Sequence, residues 1–199
     1  MEFSQNHATL RGVAAAEPVY SHTNHGQTYL TFPLSVRRLS GTMDTLNVVA
    51  SSALLSAHPV APGDAVEIGG EVRSFNNRSG PGSRLVITLY ARDIAPAQGE
   101  PENALELEGV LCKQPVVRRT PLGREICDLL LAVNRRYGRA DYLPCIAWGS
   151  LARQCGDLDV GDTVHIGGRL QSRKYHKVEN GREEERTAFE VSVMSLESA

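Results

Sequence analysis

Gly63-Asp-Ala-Val-Glu-Ile-Gly-Gly70 returns, with two residues changed, as Gly161-Asp-Thr-Val-His-Ile-Gly-Gly168. Outward from this pair the likeness continues. Leu10-Arg-Gly-Val13 matches Leu107-Glu-Gly-Val110, and Pro18, Thr23, Gly26, Val36, Gly41 and Asp44 match Pro115, Thr120, Gly123, Val133, Gly138 and Asp141. Toward the ends, Arg84-Leu-Val-Ile87 aligns with Arg186-Thr-Ala-Phe189, so the second copy carries a longer loop before its last strand. Self-similarity over roughly a hundred residues makes the chain two tandem copies of one unit. Its 199 residues suffice for two small domains. The expected division is residues 1–95, a polar, Pro-containing linker at 96–103, and residues 104–199.

Each copy reads as all-β. Strands are expected near 6–14, 27–37, 44–51, 65–75 and 84–94, and again near 104–113, 124–134, 141–148, 163–175 and 186–196. Cys127, Leu129, Leu131 and Val133 alternate with Asp128, Leu130, Ala132 and Asn134, the period-two pattern of a strand with one buried face. Val164, Ile166 and Leu170 alternate with His165, Arg169 and Gln171, and the pair Gly167-Gly168 suits a sharp bend where a small barrel turns a corner. Gly149-Ser-Leu-Ala-Arg-Gln-Cys155 is a short helix between the third and fourth strands. Five strands with that helix predict an OB-fold, twice over.

The strand after the turn Asn134-Arg-Arg-Tyr-Gly-Arg-Ala140 has two apolar faces. Leu143, Cys145 and Ala147 fit inside a narrow barrel, which puts Tyr142, Pro144, Ile146 and the single Trp, Trp148, outside. Rings beside guanidinium groups can stack nucleobases and hold phosphates. The competing reading is a subunit interface, because exposed apolar patches imply some partner. Tyr142, Trp148 and Tyr175 are the candidate stacking residues, and Arg135, Arg136, Arg139, Arg169, Arg173, Lys174 and Lys177 the candidate phosphate contacts. The first copy has Thr45 and Ser51 opposite Tyr142 and Trp148, so its outward face is expected to be an ordinary solvated sheet surface. It is expected to bind weakly, with Tyr29, Arg37, Arg38 and Phe75 as auxiliary contacts.

Composition limits the alternatives. Hydrophobic content of 41% and charged content of 22% are ordinary for a folded protein. The net charge of -2 gives no global basic signal for nucleic acid. Charge is nevertheless denser in the second half, with 14 basic and 14 acidic residues against 7 and 9 in residues 1–102, so a phosphate-binding surface should be local to it. The four cysteines lack C-x-x-C pairing and the histidines lack ligand spacing, so neither metal nor cofactor is expected and the thiols read as buried and free. Phosphate-binding and hydrolase motifs are missing, which argues against an enzyme. With no signal-like N-terminus or apolar membrane span, a soluble cytoplasmic protein is expected.

The second copy resembles the bacterial single-stranded DNA-binding protein family. The resemblance rests on Glu108-Gly-Val, Thr120-Pro-Leu-Gly123, Leu131-Ala-Val-Asn-Arg135, Tyr142-Leu-Pro-Cys-Ile-Ala-Trp-Gly149, Leu151-Ala152 and Gly168-Arg-Leu-Gln-Ser-Arg-Lys-Tyr175, and covers nearly all of residues 104–196. It implies that Tyr142, Trp148 and Tyr175 stack bases and that Arg173 and Lys174 follow the DNA backbone. The tandem layout is similar to that of two-domain members, which implies a homodimer with four OB domains. The family's acidic C-terminal tip has no counterpart at Glu197-Ser-Ala199, so replication proteins stay open as partners but recruitment by that route is not expected. A primosome-type accessory protein and a protein-interaction scaffold stay open as alternatives.

Overall fold

The computed structural model describes residues 6–77, 84–135 and 138–198. The first half runs β1 (Asn6–Ala14), β2 (Val19–Asn24), β3 (Gln27–Arg37), β4 (Met43–Ser51), α1 (Ser52–Ala57), β5 (Ala65–Asn77) and β6 (Arg84–Pro96). The second repeats the order with β7 (Glu102–Leu111), β8 (Val116–Arg119), β9 (Glu125–Asn134), β10 (Ala140–Trp148), α2 (Ser150–Gly156), β11 (Thr163–Glu179) and β12 (Arg182–Ser198).

Alternation places the core as the sequence predicts. On β9, Cys127, Leu129, Leu131 and Val133 are buried; on β10, so are Leu143, Cys145 and Ala147. Cys127, Cys145 and Cys155 are free thiols inside this core, and burial pushes the Cys155 thiol up to about 12, too high for a reactive thiolate. Each half adds a short strand to the expected five. β2 and β8 are solvent-exposed throughout, so no buried face imposes alternation on them and no pattern marks them in the sequence. The β11–β12 hairpin also reaches further than expected, pairing as far as Glu179 with Arg182.

The repeated Gly-Gly explains itself here. β5 shifts register against β6 between Gly69 and Gly70, and β11 against β12 between Gly167 and Gly168. A Cβ on Gly70 would stand 2.2 Å from the Tyr90 carbonyl oxygen, and one on Gly168 2.3 Å from that of Ser192. Only glycine lets the two backbones approach so closely at the bulge.

All twelve strands form one sheet in the order β2-β3-β4-β6-β5-β1-β7-β11-β12-β10-β9-β8. The order is the same read from either end through equivalent strands. Its centre is the antiparallel pair β1–β7, running from Asn6 opposite Leu107 to Arg11 opposite Glu102. Two matching polar knots flank this seam. Buried Asp44 accepts hydrogen bonds from Arg38 Nε (2.6 Å) and, across the seam, from the backbone N–H (2.8 Å) and hydroxyl (3.1 Å) of Ser172. Buried Asp141 accepts from Arg135 Nε (2.5 Å) and, across the seam, from Ser74 N–H (2.5 Å) and Arg73 Nη1 (3.2 Å). Burial would raise the Asp44 carboxyl, but the hydrogen bonds from Arg38 and Ser172 outweigh it and hold the group below its ordinary value.

Candidate nucleic-acid interface

The outward faces of the two halves each form a groove. That of the second half has a volume of about 610 Å³ and is floored by β10, β11 and β12. Pleating sends Trp148 out on β10, where it is 39% exposed, while Ile146 beside it is covered. Arg169, Gln171 and Arg173 project from β11 and Glu190 from β12, with Arg118 and Arg124 arriving from the β8–β9 hairpin. Among the described residues no ring or guanidinium stacks on the indole. Arg169 Nε is buried and has no hydrogen-bond partner among the described residues.

The expected residues do not all converge on this groove. Trp148, Arg169 and Arg173 do. Tyr175 joins through Arg173, whose guanidinium carbon lies 5.8 Å from the ring centroid. Tyr142 is 51% exposed on the same face of β10 but stands beside the seam, its N–H donating to Ser74 Oγ at 2.8 Å. It lies six positions before Trp148 on the strand, roughly 20 Å at the usual rise. Lys174 and Lys177 sit on the hairpin arm in surface pairs with Glu185 (2.9 Å) and Glu179 (2.6 Å), which phosphate oxygens could replace. Arg139 is exposed in the β9–β10 turn, Arg37 is exposed at the end of β3, and Arg136 lies outside the described residues.

Two arginines exchange places relative to expectation. Arg135, expected as a free phosphate contact of the second half, has its guanidinium bound to Asp141 and, at 3.0 Å, to the Ser74 carbonyl, and it lines the first half's groove. Arg38, expected as an auxiliary contact of the first half, is bound to Asp44 and to the Ser172 carbonyl (3.3 Å) and lines the second half's groove. The correction has one physical cause. Each turn arginine is drawn to the buried aspartate that follows it, and that aspartate faces the other half.

The first half also departs from the plain solvated surface expected of it. Its groove is larger, about 1120 Å³, and Val49 on its floor is buried. Phe75 lines it, as do Tyr29 and Tyr90, whose hydroxyls are joined at 3.0 Å with Tyr90 donating. Burial and this bond push the Tyr90 phenol up to about 12. Both rings are already covered: His22 stacks on Tyr29 with centroids 4.8 Å apart, and the Arg92 guanidinium carbon lies 4.7 Å from the Tyr90 centroid. Tyr90, His22, Arg73 and Arg92 were not singled out from the sequence. The outward parity of Tyr90 on β6, next to Thr88 and Val86, was the available signal. Among the described residues no cluster of His, Cys, Asp or Glu could hold a metal ion, and no helix is long and apolar enough to cross a membrane.

Comparison with known proteins bears on both halves. The single-strand binding protein family model matches residues 102–198. Single-stranded DNA-binding protein A of Bacillus subtilis is 33% identical over 87 residues, which are 40% of this chain and 51% of that protein. Single-stranded DNA-binding protein 2 of Listeria innocua is 34% identical over 80 residues, 37% of this chain and 50% of that protein. The chain thus spans about half the length of these relatives. The crystal structure of the wild-type single-stranded DNA binding protein from Thermus aquaticus superposes with a TM-score of 0.79, covering 98% of this chain and 92% of that one at 23% identity. A likeness at that identity establishes the fold, two OB-fold domains in tandem.

Proposed function

We propose that this chain, whose residues 102–198 match the single-strand binding protein family model, binds and protects single-stranded DNA in replication, recombination or repair, with no requirement for a defined sequence. The reading rests on one observation: a partly exposed indole, on which no described ring or guanidinium stacks, lies in a groove lined by five arginines, Arg38, Arg118, Arg124, Arg169 and Arg173, against two carboxylates, Asp128 and Glu190. Trp148 stacks a base, and the free guanidiniums neutralise the adjoining phosphates. Tyr175 extends the stacking platform along the hairpin, where Lys174 and Lys177 follow the backbone, and Tyr142 and Arg139 receive the strand near the seam. The first half contributes auxiliary contacts through Phe75 and the rim of its groove, because Tyr29 and Tyr90 are occupied by their own neighbours.

Trp148 is the only tryptophan, so its fluorescence reports the site directly. Quenching by oligo(dT) at low salt that reverses as salt is raised is the expected result; an indifferent signal would refute the reading and favour a protein scaffold. We further propose a cytoplasmic homodimer with four OB domains, supported by exposed Val19, Tyr20, Val116 and Val117 along the sheet's two edge strands. Light scattering should then give twice 21.6 kDa, and a monomer mass would exclude it.

A further inference from the structure

Arg38 and Arg135 hold the same place in their halves, directly after β3 and β9, and each guanidinium is used in the same incomplete way. Arg38 donates from Nε and Nη2 to the two carboxylate oxygens of Asp44 (2.6 Å each) and from Nη2 to the Ser172 carbonyl at 3.3 Å. Arg135 donates from Nε to Asp141 at 2.5 Å, and from Nη2 to Asp141 and, at 3.0 Å, to the Ser74 carbonyl. Nη1 of each has no acceptor among the described residues. Neither Nη1 is buried, because Arg169 Nε is the one buried side-chain nitrogen left without a partner among those residues. The two side chains are 20% and 26% exposed, whereas the aspartates behind them are fully buried. Each arginine thus keeps its counter-charge inside and leaves a donor at the surface.

The groove that each one lines belongs to the other half: Arg38 that of Trp148, Arg135 that of Tyr29 and Tyr90. The crossing is fixed by the aspartates, which also accept the backbone N–H of Ser172 and Ser74 from across the seam. A guanidinium already clamped by a carboxylate has little freedom left to lose, so a phosphate oxygen meeting Nη1 gains a charge-assisted hydrogen bond at low ordering cost. Resting on the single-stranded DNA reading above, we infer that each groove is completed by the other half: Arg38 is a phosphate contact of the Trp148 groove, Arg135 is one of the first half's groove, and Asp44 and Asp141 are the positioning residues that aim them. The second half is then not a self-sufficient site, and a strand leaving Trp148 toward the seam is held by a residue of the first.

The test uses the full chain and oligo(dT) of about eight nucleotides, within the span of one OB domain, with Trp148 fluorescence as the report. Arg38→Gln should weaken binding by about 5- to 20-fold, the loss of one charge-assisted hydrogen bond. Arg135→Gln, much nearer Trp148 in sequence, should cost less than a third of that factor. Both substitutions remove one positive charge and one partner of a buried aspartate, so general electrostatics affects them alike. The double variant Arg38→Gln/Asp44→Asn leaves no unpaired carboxylate at the first knot, and it should stay within about twofold of Arg38→Gln. Should Arg38→Gln fold poorly by circular dichroism, the charge-balanced double variant decides alone. An equal or larger loss from Arg135→Gln would overturn the inference, as would a double variant that binds like the wild type, since the loss would then come from a bared carboxylate and not from a missing donor. A wild type whose Trp148 does not respond to the oligonucleotide would instead overturn the underlying reading, so the two failures are distinguishable.

Discussion

The two halves of the chain share a fold, a bulge and a seam, but they furnish their outward faces in opposite ways. The second leaves one large ring without a stacking partner among arginines; the first fills a roomier groove with rings that already have partners, Tyr29 the His22 ring and Tyr90 the Arg92 guanidinium. Groove volume therefore does not rank the two as binding sites. What ranks them is whether a π-face and a cation remain free for an incoming strand.

Four experiments can break or sharpen this contrast. The largest effect should fall where the halves are alike. Asp44→Ala and Asp141→Ala each strand partly buried guanidinium partners and should cost about 3 to 5 kcal/mol in urea unfolding, nearly equally; a wide gap between them would show that the seam is not symmetric. Acid should reveal the same knot. The folded Asp44 carboxyl titrates below its unfolded value of about 3.9, so its contribution is full above that pH and disappears as the pH falls through the lower folded value. The stability gap between wild type and Asp44→Asn should hold near neutrality and close below about pH 4.

Next comes the contrast itself. Trp148→Ala should weaken binding of single strands by about 5- to 100-fold, the worth of one stacked base, and Tyr90→Ala by less than about threefold. Comparable losses, measured by anisotropy of a labelled oligonucleotide, would make the first half an equal partner. The smallest difference should appear in salt dependence. Arg173→Gln should reduce the slope of log affinity against log salt by about 0.7, one phosphate's share on a single strand, and Arg92→Gln by less than half of that.

Much of this could be read before any coordinates. Alternating burial on β9 and β10 follows from Cys127 through Val133 and from Leu143 through Ala147, because a pleated strand with one dry face leaves no other option. Trp148 was legible for the same reason, being too large for the inner set. Contacts between distant stretches were not. Nothing in Asn6–Arg11 announces Glu102–Leu107 as its neighbour, and without that pairing Arg38 and Arg135 look like free turn cations on their own halves. Tyr90 escaped notice because its meaning comes from Tyr29, sixty-one residues away, through a hydroxyl contact that periodicity cannot register.

The β1–β7 pairing has a consequence for how such a molecule can change. In an assembly of identical subunits every substitution is imposed on both members at once, so neither surface can drift without the other. Here the two partners are covalently one chain, written by separate stretches of code, while the shared seam keeps them in register. Either groove is free to acquire its own chemistry, and the unlike side chains at Thr88 and Glu190, or at Ser51 and Trp148, are what that freedom produces.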